Sequence, residues 1–365
     1  MFRSKEEVIA NLPDLLGLTA QMVDMPSESF NEGPITDWFE AELRKIPGLT
    51  VDRVGDNVVA RTNLGRKHRV LLGGHTDTVP ANNNATARVE GKTLWGLGSA
   101  DMKGGLAVML ELARSIPEPA LDVTYLFYAR EEVAIRHNGL RELFELRPDL
   151  CEADVAVLGE PTHAVLEAGC QGTMRFELTF AGKRAHTARA WMGRNAIHRL
   201  SGLLETLEAY EARQPVLDGC QFHEGMQAVF VEGGVAGNVV PDSVKLTINH
   251  RFAPDRSIEE ATAHVEELVA PFLEAGDTIE VVDASPAAAP GMNHPLLAAL
   301  AGRNDLEVRA KLGWTDVAFF AERGLPAVNF GAGDPLLAHT REERVEEPYL
   351  QIVFLALAQL LTDAV

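Results

Sequence analysis

Val123-Thr-Tyr-Leu-Phe-Tyr-Ala-Arg-Glu-Glu132 is the stretch that decides the fold. Its first seven residues form an apolar run without the alternation of a half-solvated strand, and read as a parallel strand buried on both faces. Two adjacent acids then follow it. In an open α/β sheet ligands gather at the carboxyl ends of the strands, and neighbouring side chains there point apart. One of the two carboxylates can hold a metal while the other reaches a water. Glu131 and Glu132 are therefore the first candidates for chemistry, although a Glu-Glu pair also serves as the solvated start of a helix.

Working outward, residues 69–73 form a short apolar strand that ends at Gly73-Gly-His-Thr-Asp77, and 155–158 and 327–330 read as further strands. Helical spacing of apolar residues covers 6–23, 35–43, 102–113, 295–300 and 348–364. The alternation implies an α/β fold with a mostly parallel sheet and helices on both faces. From about residue 174 the pattern changes. Strands at 176–180, 226–231, 243–252 and 278–282 accompany helices at 195–212 and 258–273, without a crossover rhythm. Residues 174–286 are expected to be an inserted α+β domain, with 1–173 and 287–365 forming a discontinuous first domain.

The chain has 365 residues, enough for two domains, and a formal charge of −20 with a pI near 5.0. That charge disfavours binding to nucleic acid and leaves a small metabolite as the expected partner. Neither a secretory leader nor an apolar run long enough to span a bilayer is found, so the expected location is the cytoplasm, away from membranes. Three scattered cysteines, Cys151, Cys170 and Cys220, argue for reduced thiols and against a thiolate metal site.

Five side chains fall at strand-to-loop junctions of the one sheet: His75, Asp101, Glu132, Glu160 and His339. Singly, each has a plain structural reading as a polar strand end or a loop residue. Together, two nitrogens and three carboxylates suit two zinc-like ions if one carboxylate bridges. Asp77, two residues beyond His75, is placed to accept a hydrogen bond from the other ring nitrogen and fix its tautomer. Glu131, beside a ligand, is the expected general base, taking a proton from a water and returning it to a leaving nitrogen. A helical His-Glu-x-x-His pattern is absent, and the Gly-rich turn before Asp101 lacks the order of a phosphate loop.

Gly74-His-Thr-Asp-Thr-Val-Pro80, Gly98-Ser-Ala-Asp-Met-Lys-Gly-Gly105, Glu131-Glu132, Gly159-Glu-Pro-Thr162 and Ala338-His-Thr340 resemble, in order, the motifs of the M20 family of metallopeptidases and amidohydrolases. The resemblance implies a zinc-exopeptidase-like catalytic domain. It assigns Asp101 as the bridge, His75 and Glu160 to one ion, and Glu132 and His339 to the other. Two Zn2+ per subunit are implied, with Co2+ or Mn2+ as substitutes. It makes 174–286 a lid and dimerisation domain, and from Gly182-Lys-Arg-Ala-His-Thr-Ala-Arg189 it assigns His186 to the developing oxyanion, in the partner subunit's site. Asn238 and Arg251 match substrate-contacting positions, and Gly313, Thr315, Gly331 and Gly333 match loops around a substrate carboxylate. The resemblance extends through Lys311-Leu-Gly-Trp-Thr-Asp316 and 329–339 and implies an N-acyl amino acid substrate, with N-succinyl-LL-2,6-diaminopimelate expected. N-acetylornithine, other N-acyl amino acids and dipeptides are the alternatives within the family, and a catalytically silent binding protein is the alternative outside it. Arg130, Cys170-Gln171 and Pro335-Leu336 depart from the family pattern.

Overall fold

The computed structural model describes residues 12–363. Two compact units form: the first runs to Ala168 and takes up Pro290–Arg309 and the chain from Phe319, and the second is Gly169–Ala289 with Ala310–Ala318. The main elements of the first unit begin with α1 (Leu15–Val23), α2 (Gly33–Arg44), β1 (Thr50–Val54), β2 (Asn57–Arg61) and β3 (Arg69–His75). They continue with α3 (Gly104–Ser115), β4 (Asp122–Tyr128), α4 (Gly139–Leu146), β5 (Val155–Leu158) and β6 (Leu166–Ala168). The second unit contributes β7 (Gly172–Ala181), α5 (Ser201–Glu208), β8 (Gly225–Gly233), β9 (Ser243–Phe252), α6 (Ile258–Val269) and β10 (Thr278–Ser285). The chain then returns through α7 (Pro295–Arg303), β11 (Val308–Ala310), β12 (Ala327–Asn329) and α8 (Glu347–Thr362).

The large sheet has eight strands in the order β1-β2-β4-β3-β5-β12-β6-β11. Its centre is parallel: β3 pairs in parallel with β4 and β5, and β12 with β5. Antiparallel pairs flank the centre, β1 with β2 and β2 with β4 on one side and β12 with β6 on the other. β4 is buried at every position, as the unbroken run from Val123 requires. Helices α1, α3 and α8 pack on one another, and α3 touches β3 and β4. Phe39 of α2 stacks on Phe127 of β4 with ring centroids 4.3 Å apart.

Several boundaries differ from those expected, each for a local reason. The expected helix over 6–23 is observed as α1, capped by Asp14, whose carboxylate accepts the Gly17 N–H at 2.8 Å; residues 6–11 lie outside the described residues, as does 364. The helix expected over 195–212 is a 3-10 turn, Ile197–Leu200, leading into the shorter α5. That over 258–273 begins at a capping box of Ser257 and Glu260 and gives way to a 3-10 turn containing Pro271.

The second unit is a four-stranded antiparallel sheet, β8-β9-β7-β10. Alternate residues of β7, from Met174 to Phe180, join Val244, Leu246 and Ile248 of β9 in a core closed by Leu203 and Leu207 of α5 and by Ala261, Val265 and Val269 of α6. Ala310–Ala318 belongs to this unit because the Gln171 N–H donates to the Lys311 carbonyl at 3.2 Å and the Trp314 indole N–H to the Pro286 carbonyl at 3.1 Å.

His250, fully buried in β9, uses Nδ1 on the Gly225 carbonyl at 3.0 Å, and its ring lies 5.8 Å from that of His264. Burial pushes the pKa of His250 below its ordinary value, and His264 and Arg256 add to the effect against the Gly225 carbonyl and Glu224. Burial lowers His264 as well. Both imidazoles are thus neutral in the folded state where the unfolded chain begins to bind protons, and stability is lost as pH falls below the unfolded value of about 6.5. The melting temperature of the second unit is expected to drop between about pH 7 and 5. A flat calorimetric profile across that range would rule the effect out.

Candidate metal centre

The four parallel strands β4, β3, β5 and β12 are neighbours, so their carboxyl ends lie along one edge of the sheet. Each supplies a candidate ligand there: His75 closes β3, Glu132 follows β4, Glu160 follows β5, and His339 lies on the loop after β12. Asp101 comes from the turn Ser99–Lys103 that leads into α3. Sheet topology therefore brings four of the five together although they are far apart in sequence.

The five form two groups. The ligand atoms of His75, Asp101 and Glu160 lie within 4.8 Å of one another, as do those of Asp101, Glu132 and His339. Asp101 belongs to both and uses a different oxygen for each. Its Oδ1 is 3.0 Å from His75 Nε2, and its Oδ2 is 3.5 Å from His339 Nε2. His339 Nε2 also stands 2.8 Å from Glu132 Oε1. Nitrogen and carboxylate donors without thiolate fit ions of the zinc type. His75 is buried, whereas the His339 side chain is half exposed, so the second group faces solvent. A third grouping, His75 with Glu131 and Glu132, meets the same 4.8 Å limit and offers Glu131 a competing role as a ligand.

The electrostatics suit a cation. Burial opposes charge on His75, yet Asp101, Asp77 and Glu160 outweigh it and hold its pKa well above the ordinary imidazole value. Hydrogen bonds to Asp101 and Glu132 push His339 up to about 10. Asp101 is drawn well below the usual carboxylate range by the two imidazoles, despite its burial. In this state protons on the imidazoles balance the acids, the position that metal ions take when they displace those protons.

Asp77 does more than its sequence position suggests. The nearest acceptor to His75 Nδ1 is the main-chain carbonyl of Asp77 at 3.0 Å, with the carboxylate at 3.5 Å. The carboxylate oxygens accept the Glu131 N–H at 3.0 Å, the Glu132 N–H at 3.1 Å and the Ser29 hydroxyl at 2.7 Å. One buried acid thereby locks the end of β3 to the turn that carries both glutamates. Glu32 extends the clamp by accepting the Arg130 N–H at 3.1 Å. Arg130 is in the left-handed region at φ 61°, and its guanidinium turns to Glu142 at 2.8 Å and Asp56 at 3.3 Å. Arg130 thus braces the turn from behind.

Gly331 and Gly333 have an observable packing job. A Cβ on Gly331 would lie 2.3 Å from the Glu160 carbonyl oxygen, and one on Gly333 2.4 Å from that of Ala100. Only glycine lets the loop after β12 approach the Glu160 and Asp101 loops so closely. Gly331 N–H also donates to Thr162 Oγ1 at 3.1 Å.

The remaining expected residues lie in the second unit. His186 is exposed and pairs with Val239, and the Thr187 N–H donates to the Asn238 carbonyl at 3.0 Å, so His186 and Asn238 stand side by side. Arg251 is on β9 opposite Gly225 and Thr173, and burial lowers its pKa, with Arg175 adding to the effect. Gly313 is exposed; Thr315 is buried, and its carbonyl lies 3.7 Å from Cys170 Sγ. Burial pushes the Cys170 thiol up to about 11, and the Gln171 side chain accepts the His223 N–H at 3.1 Å. Sequence reading missed Glu32, Ser29 and Glu343. Glu343 is buried and accepts the amides of Ala100 and Asp101.

Residues 71–363 match the family model described as peptidase family M20/M25/M40. A putative succinyl-diaminopimelate desuccinylase of Mycobacterium tuberculosis is 50% identical over 333 residues, covering 91% of this chain and 93% of its own. The succinyl-diaminopimelate desuccinylase of Corynebacterium glutamicum is 44% identical over 364 residues, covering 96% and 98%. Among solved structures, a tripeptidase from Staphylococcus aureus superposes with a TM-score of 0.78 at 23% identity, covering 95% of this chain and 97% of the other. A dinuclear metal-binding peptidase from Bacillus subtilis gives 0.66 at 18% identity, covering 95% and 96%. These two share the fold.

Proposed function

The chain belongs to peptidase family M20/M25/M40, and from that membership we propose that it is a dizinc amide hydrolase that splits N-succinyl-LL-2,6-diaminopimelate into succinate and LL-2,6-diaminopimelate. The observation that carries the chemistry is the sharing of Asp101 between two ligand groups beside the Glu131-Glu132 pair. The substrate is supported by the two relatives named as desuccinylases, which match this chain over nearly its whole length. The free, buried cysteines support action in the reducing cytoplasm. Among the described residues, no helix is long and apolar enough to cross a membrane.

Asp101 would bridge the ions, with His75 and Glu160 on one and Glu132 and His339 on the other. Two such ions, when bound, polarise the scissile carbonyl and lower the pKa of a water. Glu131 accepts the proton of the attacking water and delivers it to the leaving nitrogen. Asp77 keeps Glu131 aimed by holding its amide. His186 donates to the oxygen on which charge develops, and Asn238 and Arg251 hold the substrate, Arg251 through the fork that a guanidinium offers a carboxylate.

The second unit is proposed to pair two copies of the chain. Its edge strand β8 leaves Val229, Phe230 and Val231 exposed, an apolar edge that a second sheet would cover. His186 would then act in the partner's site, and His186→Ala is expected to lower kcat by about 10²-fold with ion content kept. Mixing that variant with Glu131→Gln gives a direct check. In a mixed dimer one site would have an intact Glu131 and an intact His186 from the other chain, so activity should rise above that of either variant alone. No recovery after subunit exchange would remove the trans assignment.

The test of the whole reading is kcat/KM of the zinc-loaded protein on N-succinyl-LL-2,6-diaminopimelate against N-acetylornithine and a dipeptide panel. Strong preference for the succinylated compound is expected. Preference for another amide would overturn the substrate and keep the chemistry, and no turnover with ions bound would overturn the enzyme.

A further inference from the structure

Glu343 is an acid 1% exposed, four residues beyond His339, in the charged stretch Arg341-Glu-Glu-Arg344. One oxygen of its carboxylate, Oε1, accepts two consecutive main-chain N–H groups, those of Ala100 at 3.0 Å and Asp101 at 3.1 Å. Its own backbone is fixed on both sides. The Glu343 carbonyl accepts the Gly96 N–H at 3.1 Å, and Asn84 Nδ2 donates to the Thr340 carbonyl at 3.1 Å. The next residues, Arg344–Glu346, form a strand paired with Thr93–Trp95 in which Val345 faces Leu94. Buried acids are costly unless they accept strong hydrogen bonds, and this one spends its bonds on the backbone of the shared ligand.

We infer that Glu343 is a positioning residue that sets the bridging carboxylate of Asp101 through the main chain, an inference that rests on the two-ion reading above. The segment from His339 to Glu343 thereby carries one ligand on its side chain and fixes another through two amides. Loss of the carboxylate leaves the Ala100 and Asp101 amides without their acceptor and frees the turn Ser99–Lys103 to shift. Because Asp101 serves both ion groups, both affinities fall together.

The test measures Zn2+ affinity and stoichiometry by competition with a fluorescent chelator, for wild type, Glu343→Ala and Glu343→Gln, alongside the melting temperature of the metal-free proteins. Glu343→Ala is expected to weaken binding of both ions by about 10–100-fold. At saturating zinc its KM should be unchanged. Glu343→Gln keeps an acceptor oxygen in place and is expected to recover most of the affinity, which a role in charge alone would not allow. Unchanged affinity in Glu343→Ala, loss at one ion only, or Glu343→Gln as weak as Glu343→Ala would overturn the inference. Should the alanine variant not fold, Glu343→Asp carries the test: its shorter acceptor is expected to weaken both ions, and wild-type affinity there would overturn it. Wild-type protein binding fewer than two zinc ions would bring down the two-ion reading itself, whereas two ions in wild type with no change in the variants removes only the role of Glu343.

Discussion

Glu131→Gln is expected to lower kcat by about 10²–10⁴-fold while the protein keeps its full zinc content. The amide fills the same space and can still hydrogen-bond, but it cannot accept a proton from water. The main chain at this position is held independently of the side chain, because Asp77 accepts the Glu131 and Glu132 amides and Glu32 accepts that of Arg130. The turn should therefore stay in place, with Glu132 still beside His339. The competing grouping of His75, Glu131 and Glu132 makes the opposite forecast, since a ligand changed to a neutral amide gives up its ion. Zinc content by atomic emission, read with single-turnover kinetics, separates the two. A variant that loses one equivalent of zinc would make Glu131 a ligand and leave the base unassigned.

Asp101→Ala should be the most damaging single change, with both ions lost and activity reduced to background. Among the described residues, no other belongs to both the His75–Glu160 and the His339–Glu132 groups. Its removal also leaves the buried His75 Nε2 without the carboxylate that stands 3.0 Å from it. His339→Ala, in contrast, removes a half-exposed candidate ligand from one group and should spare an ion bound by His75, Asp101 and Glu160. Titration of metal-free protein with zinc is the measurement. Two tightly bound ions in Asp101→Ala would end the bridging assignment.

The sheet centre was legible in the sequence because its strands are short, apolar and bounded by glycine and acids, and the same boundaries marked His75, Glu132 and Glu160. Other features gave no such signal. β1 and β2 pair around a turn at Gly55, but their mixed residues, Thr50-Val-Asp-Arg-Val54, show no clear period. Glu343 sits in a run of charges that reads as solvated surface, and only the tertiary structure shows that one member of the run is buried. Glu32 is hidden for the same reason, since Glu28, Glu32 and Asn31 look like an ordinary polar loop. The loops near Gly313 and Gly331 resemble substrate-contacting loops in sequence, and in the structure Gly331 permits the close approach of two backbones. A glycine needed for contact with a ligand and one needed for contact between loops look identical in sequence.

β12 is an interior strand of the sheet, between β5 and β6, although it comes late in the chain. During synthesis the ribosome therefore releases four of the candidate ligands and most of the sheet before the strand that joins β5 to β6. Until then β5 and β6 each have an edge that nothing covers, the situation in which nascent chains pair with the wrong neighbour. The whole second unit can emerge and fold while that gap stays open. The group of Asp101, Glu132 and His339 can therefore come together only after His339 has emerged, and a chain that terminates ahead of residue 327 lacks both that histidine and an interior strand of the sheet.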